Sequence, residues 1–174
     1  MGNILIQKAC KNEIDSIEVL YNESINWLNS QGIHQWKKEV YPTRKSALDA
    51  IQEDTLYCCI VNGNLSGTFI INENQVEQYK TLNWQYKTGK ILVLHTLVIK
   101  PKETGQGLGK TIMDFIIDYA RRNGYKAIRL DVFIDNKAAV RLYRYFEFEF
   151  VGKVFFDKKE PGHEWYDCYE KLIL

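Results

Sequence analysis

Residues 90–101, KILVLHTLVIKP, form an almost unbroken apolar run closed by a proline, and TGQGLGKT follows within three residues. This junction constrains the fold more than any other feature of the chain. An apolar run of this length reads as a strand buried on both faces, and Pro101 ends it because proline cannot donate to a ladder. Beyond the alternating glycines Gly105, Gly107 and Gly109, helical spacing starts at Leu108. Ile112, Phe115, Ile116 and Tyr119 fall on one stripe, while Lys110, Asp114, Asp118 and Arg121 face away. Gly124 stands where a helix C′ residue belongs, KAIRLDVFI reads as the next strand, and NKAAVRLYRYF reads as a helix capped by Asn136. The unit is β-loop-α-β-α.

Around it the chain alternates helices and strands. NILIQKA reads as an opening strand, and a first helix puts Ile14, Ile17, Leu20, Tyr21, Ile25 and Leu28 on one stripe before Gly32. A second helix starts after Thr43 as its N-cap. Asn62-Gly63 between two β-rich runs signals a hairpin. Residues 73–90 are polar and read as a loop, and FEFVGKVFFD and EWYDCYEKLIL read as closing strands around Pro161 and Gly162. The order is α+β. With 174 residues, 45% hydrophobic, and no composition break or repeat, one domain is expected.

Composition excludes several functions. Twenty-three basic against 22 acidic residues leave a net charge of +1, which calls for neither nucleic acid nor an anionic membrane surface. Cys10, Cys58, Cys59 and Cys168 form no C-x-x-C pair and have no histidine at ligand spacing, so no metal is expected and a reducing cytoplasm is the implied compartment. MGNILIQKA has neither a signal-peptide pattern nor the Ser or Thr that a myristoylation signal needs at residue 6, and no segment reaches the roughly 20 apolar residues of a membrane span.

A glycine-rich turn feeding a helix N-terminus binds anions, since the first N–H groups are unpaired and the helix end carries about half a positive charge. Spacing decides which anion. A Walker A loop ending in Gly109-Lys110-Thr111 needs its first glycine at residue 104, which is Thr104. A dinucleotide fingerprint needs glycine at residue 110 or 112, which are Lys110 and Ile112, although Asp131 stands at a plausible distance downstream. The acyl-coenzyme A pattern [QR]-x-x-G-x-[GA] fits residues 104–109, TGQGLG, at every position but its head.

On these residues, and on N-x-x-A-x-x-L-Y at 136–143 followed by an aromatic and Val-Gly, the sequence resembles the GCN5-related N-acetyltransferase (GNAT) family. The resemblance covers residues 91–153 by motif and the first 90 by topology. It implies a mixed, mostly antiparallel sheet of about seven strands flanked by helices, and acetyl-coenzyme A (acetyl-CoA) as cosubstrate. In the family pattern Leu97, Val98 and Ile99 offer strand backbone to the pantetheine. Thr104, Gly105, Gln106, Gly107, Leu108, Gly109 and Lys110 hold the pyrophosphate, and Asn136, Ala139 and Tyr143 face the ligand's arm. There are two departures: Thr104 replaces the long side chain at the loop's head, and Glu147 replaces a glycine after the second motif.

Amine acetylation needs a proton removed from an amine of pKa about 10.4 and one supplied to a thiol of pKa about 8.5. The resemblance implies that the Tyr143 hydroxyl is the acid at sulfur. LHTL at residues 94–97 resembles the arylalkylamine acetyltransferases and implies that His95 is the base, directly or through water. Val93 stands where other relatives place a glutamate. Trp36 is a candidate for the acceptor pocket and Trp27 for the core, whereas Trp84 and Tyr86 fit either role. His34 and His163 read as solvated. A ping-pong route through Cys58 or Cys59 is disfavoured mid-strand, so the amine attacks directly in a ternary complex. The acceptor is a small-molecule or peptide amine, and the protein is a monomer or homodimer. The rival reading is a non-catalytic acyl-coenzyme A-binding module.

Overall fold

The computed structural model describes residues 3–173, so the sequence readings that touch Met1, Gly2 and Leu174 lie outside it. Seven strands form one mixed sheet: β1 Ile4–Lys8, β2 Leu56–Val61, β3 Asn64–Asn72, β4 Ile91–Ile99, β5 Ala127–Phe133, β6 Glu149–Phe155 and β7 Trp165–Leu172. Their order across the sheet is β1-β2-β3-β4-β5-β7-β6. The α-helices are α1 Ile14–Ser30, α2 Arg44–Gln52, α3 Leu108–Arg122 and α4 Lys137–Tyr145. Among the described residues no helix is long and apolar enough to cross a membrane.

The chain divides into two compact units, with the divisions falling inside β4 and α3. The first comprises the residues up to Ile71 together with His95–Ile112. Here all six stripe residues of α1 are buried, and Ile14, Ile17, Leu20 and Tyr21 share a core cluster with Ala47, Leu56, Ile70 and Val98. Thr43 caps α2 by accepting from the Ser46 N–H at 3.1 Å. Asn62 and Gly63 have φ 49° and 81°, the pair of left-handed residues that a two-residue hairpin turn requires. Trp27 departs from expectation: it is 36% exposed, because it sits one residue off the stripe that ends at Leu28.

The second unit comprises Asn72–Leu94 and Met113–Leu174. β5 pairs antiparallel with β7 from Ala127–Leu172 to Phe133–Tyr166, and β7 pairs antiparallel with β6. β4 pairs parallel with β5, in the register Ile91–Ala127, Leu92–Ile128 and Val93–Arg129, and the register stops there. The segment read as a loop over 73–90 contains a 3-10 turn, Glu77–Thr81.

Along α3 the buried stripe is Leu108, Ile112, Met113, Ile116, Ile117 and Ala120. Phe115 and Tyr119, predicted on this stripe, lie at its rim and are only partly buried. Their rings pack 6.3 Å apart, and Tyr119 packs at the same spacing on buried Tyr125. Aromatic stacking thus extends the buried face beyond the aliphatic seam.

Candidate active site

In the first unit the end of β4 is distorted. Thr96 has φ 48°, a left-handed conformation that a β-branched residue rarely adopts, and its hydroxyl is hydrogen-bonded to the Tyr41 hydroxyl. Just beyond, β3 approaches closely: a Cβ on Gly67 would lie 2.9 Å from the Val98 carbonyl oxygen. The Lys100 N–H donates to the Ser66 carbonyl at 2.8 Å, and the Ser24 hydroxyl donates to the Ile99 carbonyl at 3.4 Å. Val98 is buried, whereas His95, Leu97 and Ile99 are partly exposed. Gly67, Thr96 and Tyr41 were not singled out in the sequence. Gly67 could have been, as a glycine inside a strand pattern.

The loop follows from a 3-10 turn, Pro101–Glu103. Thr104 is exposed and donates its N–H to the Pro101 carbonyl at 3.2 Å, and the Gln106 side-chain amide folds back onto the Lys102 carbonyl at 2.9 Å. Gly105 and Gly107 have φ 83° and 89°, and no heavy atom lies within 4 Å of where their Cβ atoms would be. Among the described residues no acceptor meets the N–H of either glycine. The Gly107 carbonyl accepts from Lys110 and Thr111 at 3.0 and 3.1 Å, which turns it into the helix and leaves the loop's open side to the N–H groups. Leu108 is buried and anchors the first turn, Gly109 is partly exposed, and Lys110 is exposed. A cradle with unfilled Cβ positions and unpaired donors, at the head of a 15-residue helix, suits a pyrophosphate.

In the second unit Asn136 caps α4, its side-chain oxygen accepting from the Ala139 N–H at 3.2 Å, and Ala139 is partly exposed. Tyr143 is 6% exposed, with its ring 6.0 Å from that of Phe148. Burial first, and then the negative charge of Asp131, push the Tyr143 hydroxyl well above the usual phenol range, so it keeps its proton at neutral pH. At the helix end Glu147 has φ 58°, the conformation for which a glycine would be favoured. His95 and the glycine loop thus belong to one unit, and Asn136, Ala139 and Tyr143 to the other.

The same unit carries a buried polar network that sequence reading missed. Arg129 and Glu170 are paired at 2.9 Å with side-chain exposures of 5% and 2%. Glu170 also accepts from the N–H groups of Gln85 and Tyr86 at 2.8 and 3.2 Å, and the Arg129 guanidinium donates to Gln75 and to the Tyr86 carbonyl. It also lies 4.2 Å over the Trp84 ring. Trp84 donates to the Tyr79 carbonyl at 2.8 Å, and the Tyr79 hydroxyl donates to Asp131 at 2.7 Å. Charged residues at alternate positions of an otherwise apolar strand, Arg129 and Asp131 in KAIRLDVFI, were the available signal.

The other candidates separate by burial. Trp36 packs partly buried against the first unit's core cluster, and His34 is exposed. His163 is half-buried, its ring 5.5 Å from that of Phe133. Cys10 is exposed. Burial pushes the Cys59 thiol up to about 11 and raises Cys58 and Cys168 as well, so none of the three supplies a thiolate at neutral pH. Among the described residues no group of three or more His, Cys, Asp or Glu could hold a metal.

β4 thus carries a left-handed Thr96, the head of α3 an open glycine loop, and α4 a buried Tyr143. The chain belongs to the acetyltransferase (GNAT) family, whose model matches residues 21–148. Among curated proteins it is 26% identical over 97 residues to an uncharacterized N-acetyltransferase of Methanocaldococcus jannaschii, a match covering 56% of this chain and 40% of that protein. The chain therefore spans well under half the length of that relative. Among solved structures, a GNAT-family acetyltransferase from Streptococcus agalactiae superposes with TM-score 0.85 at 24% identity, over 97% of this chain and 95% of that one. YncA from Salmonella typhimurium, solved with its cofactor acetyl-CoA, superposes with TM-score 0.71 at 16% identity, over 98% and 94%. These structural likenesses establish the fold.

Proposed function

We propose that the protein transfers an acetyl group from acetyl-CoA to a primary amine of a small molecule or peptide. The observation that carries the reading is the open cradle at Gly105 and Gly107, whose unpaired N–H groups sit at the head of α3. Within the loop from Gly105 to Lys110 the unpaired amides, those of Gly105 and Gly107 foremost, hold the pyrophosphate, and β4 backbone at Leu97–Ile99 holds the pantetheine. Bound there, the cosubstrate supplies an activated thioester carbonyl.

His95 takes a proton from the amine, directly or through one water, as its nitrogen forms the bond to the acetyl carbon. Tyr143 gives its proton to the sulfur as the carbon–sulfur bond breaks, so charge does not accumulate on the leaving group. Its buried, protonated hydroxyl suits this role. Direct attack agrees with the buried, protonated state of Cys58 and Cys59, since neither is ready to carry an acetyl group.

The test is coenzyme A release over a panel of amines. Tyr143→Phe should lower kcat about 100-fold while acetyl-CoA still raises the melting temperature, and unchanged turnover would remove Tyr143 from the mechanism. Stabilisation by acetyl-CoA without turnover of any amine would instead mark a non-catalytic binding module.

A further inference from the structure

Among the described residues Thr96 is the one β-branched residue with a left-handed φ, and the one non-glycine left-handed residue inside a strand. A side chain at such a φ crowds its own carbonyl, so the conformation persists only where neighbours hold it. The chain beyond Thr96 is held independently. Val98 lies in the first unit's core cluster, the Ile99 carbonyl accepts from the Ser24 hydroxyl at 3.4 Å, and the Lys100 N–H donates to the Ser66 carbonyl at 2.8 Å. With that side fixed, the φ of Thr96 sets the direction of the peptide before it, and with it the place of His95. A return from φ 48° to an extended value of about −120° would swing this peptide through roughly half a turn.

The hydroxyl that meets Thr96 is carried on a firmly built turn of the same unit, 55 residues earlier in the chain. The Lys37 N–H donates to the Tyr41 carbonyl at 3.1 Å, and the Tyr41 N–H donates to the Lys37 carbonyl at 3.0 Å. Before this closed turn Gln35 is buried and Trp36 packs against the core cluster, and after it Pro42 is buried. The tip of the turn, from Lys38 to Val40, is exposed. The Tyr41 ring is itself 36% exposed, so little apolar burial holds it, and its hydroxyl is hydrogen-bonded to that of Thr96. A rigid turn thus reaches β4 at the strained residue next to the proposed base.

We propose that Tyr41 is a positioning residue for acetyl transfer: through the Thr96 hydroxyl it holds the left-handed turn of β4 and so places His95. This rests on the reading of His95 as the base. Tyr41 moves no proton in the reaction and acts only through Thr96. Its hydroxyl is the part that matters, since phenylalanine would keep the ring and lose the tie. The tie is needed because residue 96 is threonine. A glycine there would take a left-handed φ without a partner.

The test breaks the tie from both ends and then makes it unnecessary. With the amine of the panel that is turned over fastest, Tyr41→Phe and Thr96→Val should each lower kcat about tenfold, and the double variant should be no slower than the slower single. Acetyl-CoA affinity by calorimetry should not change, because Val98, Ile99 and Lys100 keep their own anchors. Adding Thr96→Gly to Tyr41→Phe should bring kcat back to within about threefold of the native value. Losses that add, a Thr96→Gly change that recovers nothing, or a fall in acetyl-CoA affinity equal to that in kcat would each overturn the proposal. The ring signals of the three histidines in nuclear magnetic resonance, assigned with His95→Gln, read placement without turnover. Tyr41→Phe should move the His95 signal and leave those of His34 and His163, and an unmoved His95 signal overturns the proposal. Should Tyr41→Phe not fold, Thr96→Val tests the same bond from its other end. If the native protein turns over no amine, a His95 signal that moves in Tyr41→Phe and returns with Thr96→Gly upholds the positioning and places the failure in the acetyl-transfer reading.

Discussion

The glycine loop and the β5–β7 face are built in opposite ways. At residues 104–111 the chemistry is backbone: Gly105 and Gly107 turn the chain, Gly107 accepts the first helical donors, and side chains add little. On the β5–β7 face the chemistry is side chain, and the partners come from segments far apart in sequence, such as Arg129 and Glu170 or Tyr79 and Asp131. A backbone site tolerates change in the residues around it, provided its glycines and its helix remain. A side-chain site fails when any one partner is lost. Substitutions in the face should therefore act first on stability, and substitutions in the loop first on ligand affinity.

The strongest trial of this contrast is Glu170→Ala. It strands the Arg129 guanidinium in a buried site and should destabilise by about 3–5 kcal/mol in chemical denaturation. A loss under 1 kcal/mol would mean that the network is dispensable. Next is Gly67→Ala, which drives a Cβ to 2.9 Å from the Val98 carbonyl oxygen. Overpacking there should cost about 1–3 kcal/mol, and because it presses on β4 beside Thr96 it should also weaken acetyl-CoA binding. Destabilisation with unaltered affinity would separate the β4 distortion from the ligand site.

Thr104→Arg should act in the other direction, on affinity and not on stability. It restores a long cationic side chain at the head of the loop, where Thr104 is exposed, and should tighten acetyl-CoA about tenfold by calorimetry. No gain would show that the amides hold the pyrophosphate without help. The smallest effect is expected of Glu147→Gly, which relieves a left-handed non-glycine residue at φ 58° and should stabilise by about 1 kcal/mol. The lost contact to Lys171, 3.4 Å away from an exposed carboxylate, offsets little of that gain. A lower melting temperature in this variant would show that the contact outweighs the strain.

Legibility in the sequence follows the same division. The α1 stripe, the Thr43 and Asn136 caps and the Asn62-Gly63 turn were readable because each depends on residues within one turn or one hairpin. The glycine loop was readable for the same reason, and the spacing of its glycines removed the triphosphate and dinucleotide alternatives. Trp27 was misjudged because its residue type suggested burial, while its phase on α1 put it beside the stripe. The rim positions of Phe115 and Tyr119 depend on Tyr125, which lies beyond the helix and outside its periodicity.

By itself the sequence determined the order of the elements and the backbone cradle between β4 and α3, because helix periodicity, capping and glycine turns are local and repeat every few residues. Only the tertiary structure decided that Thr96 is the left-handed residue within β4, that Gly67 lies against the Val98 carbonyl, and that Asp131 sits in register between a closed ion pair and an aromatic pair. Those arrangements rest on sheet register and loop return. Register is fixed by the summed burial of many side chains, and no short stretch of the chain carries that sum.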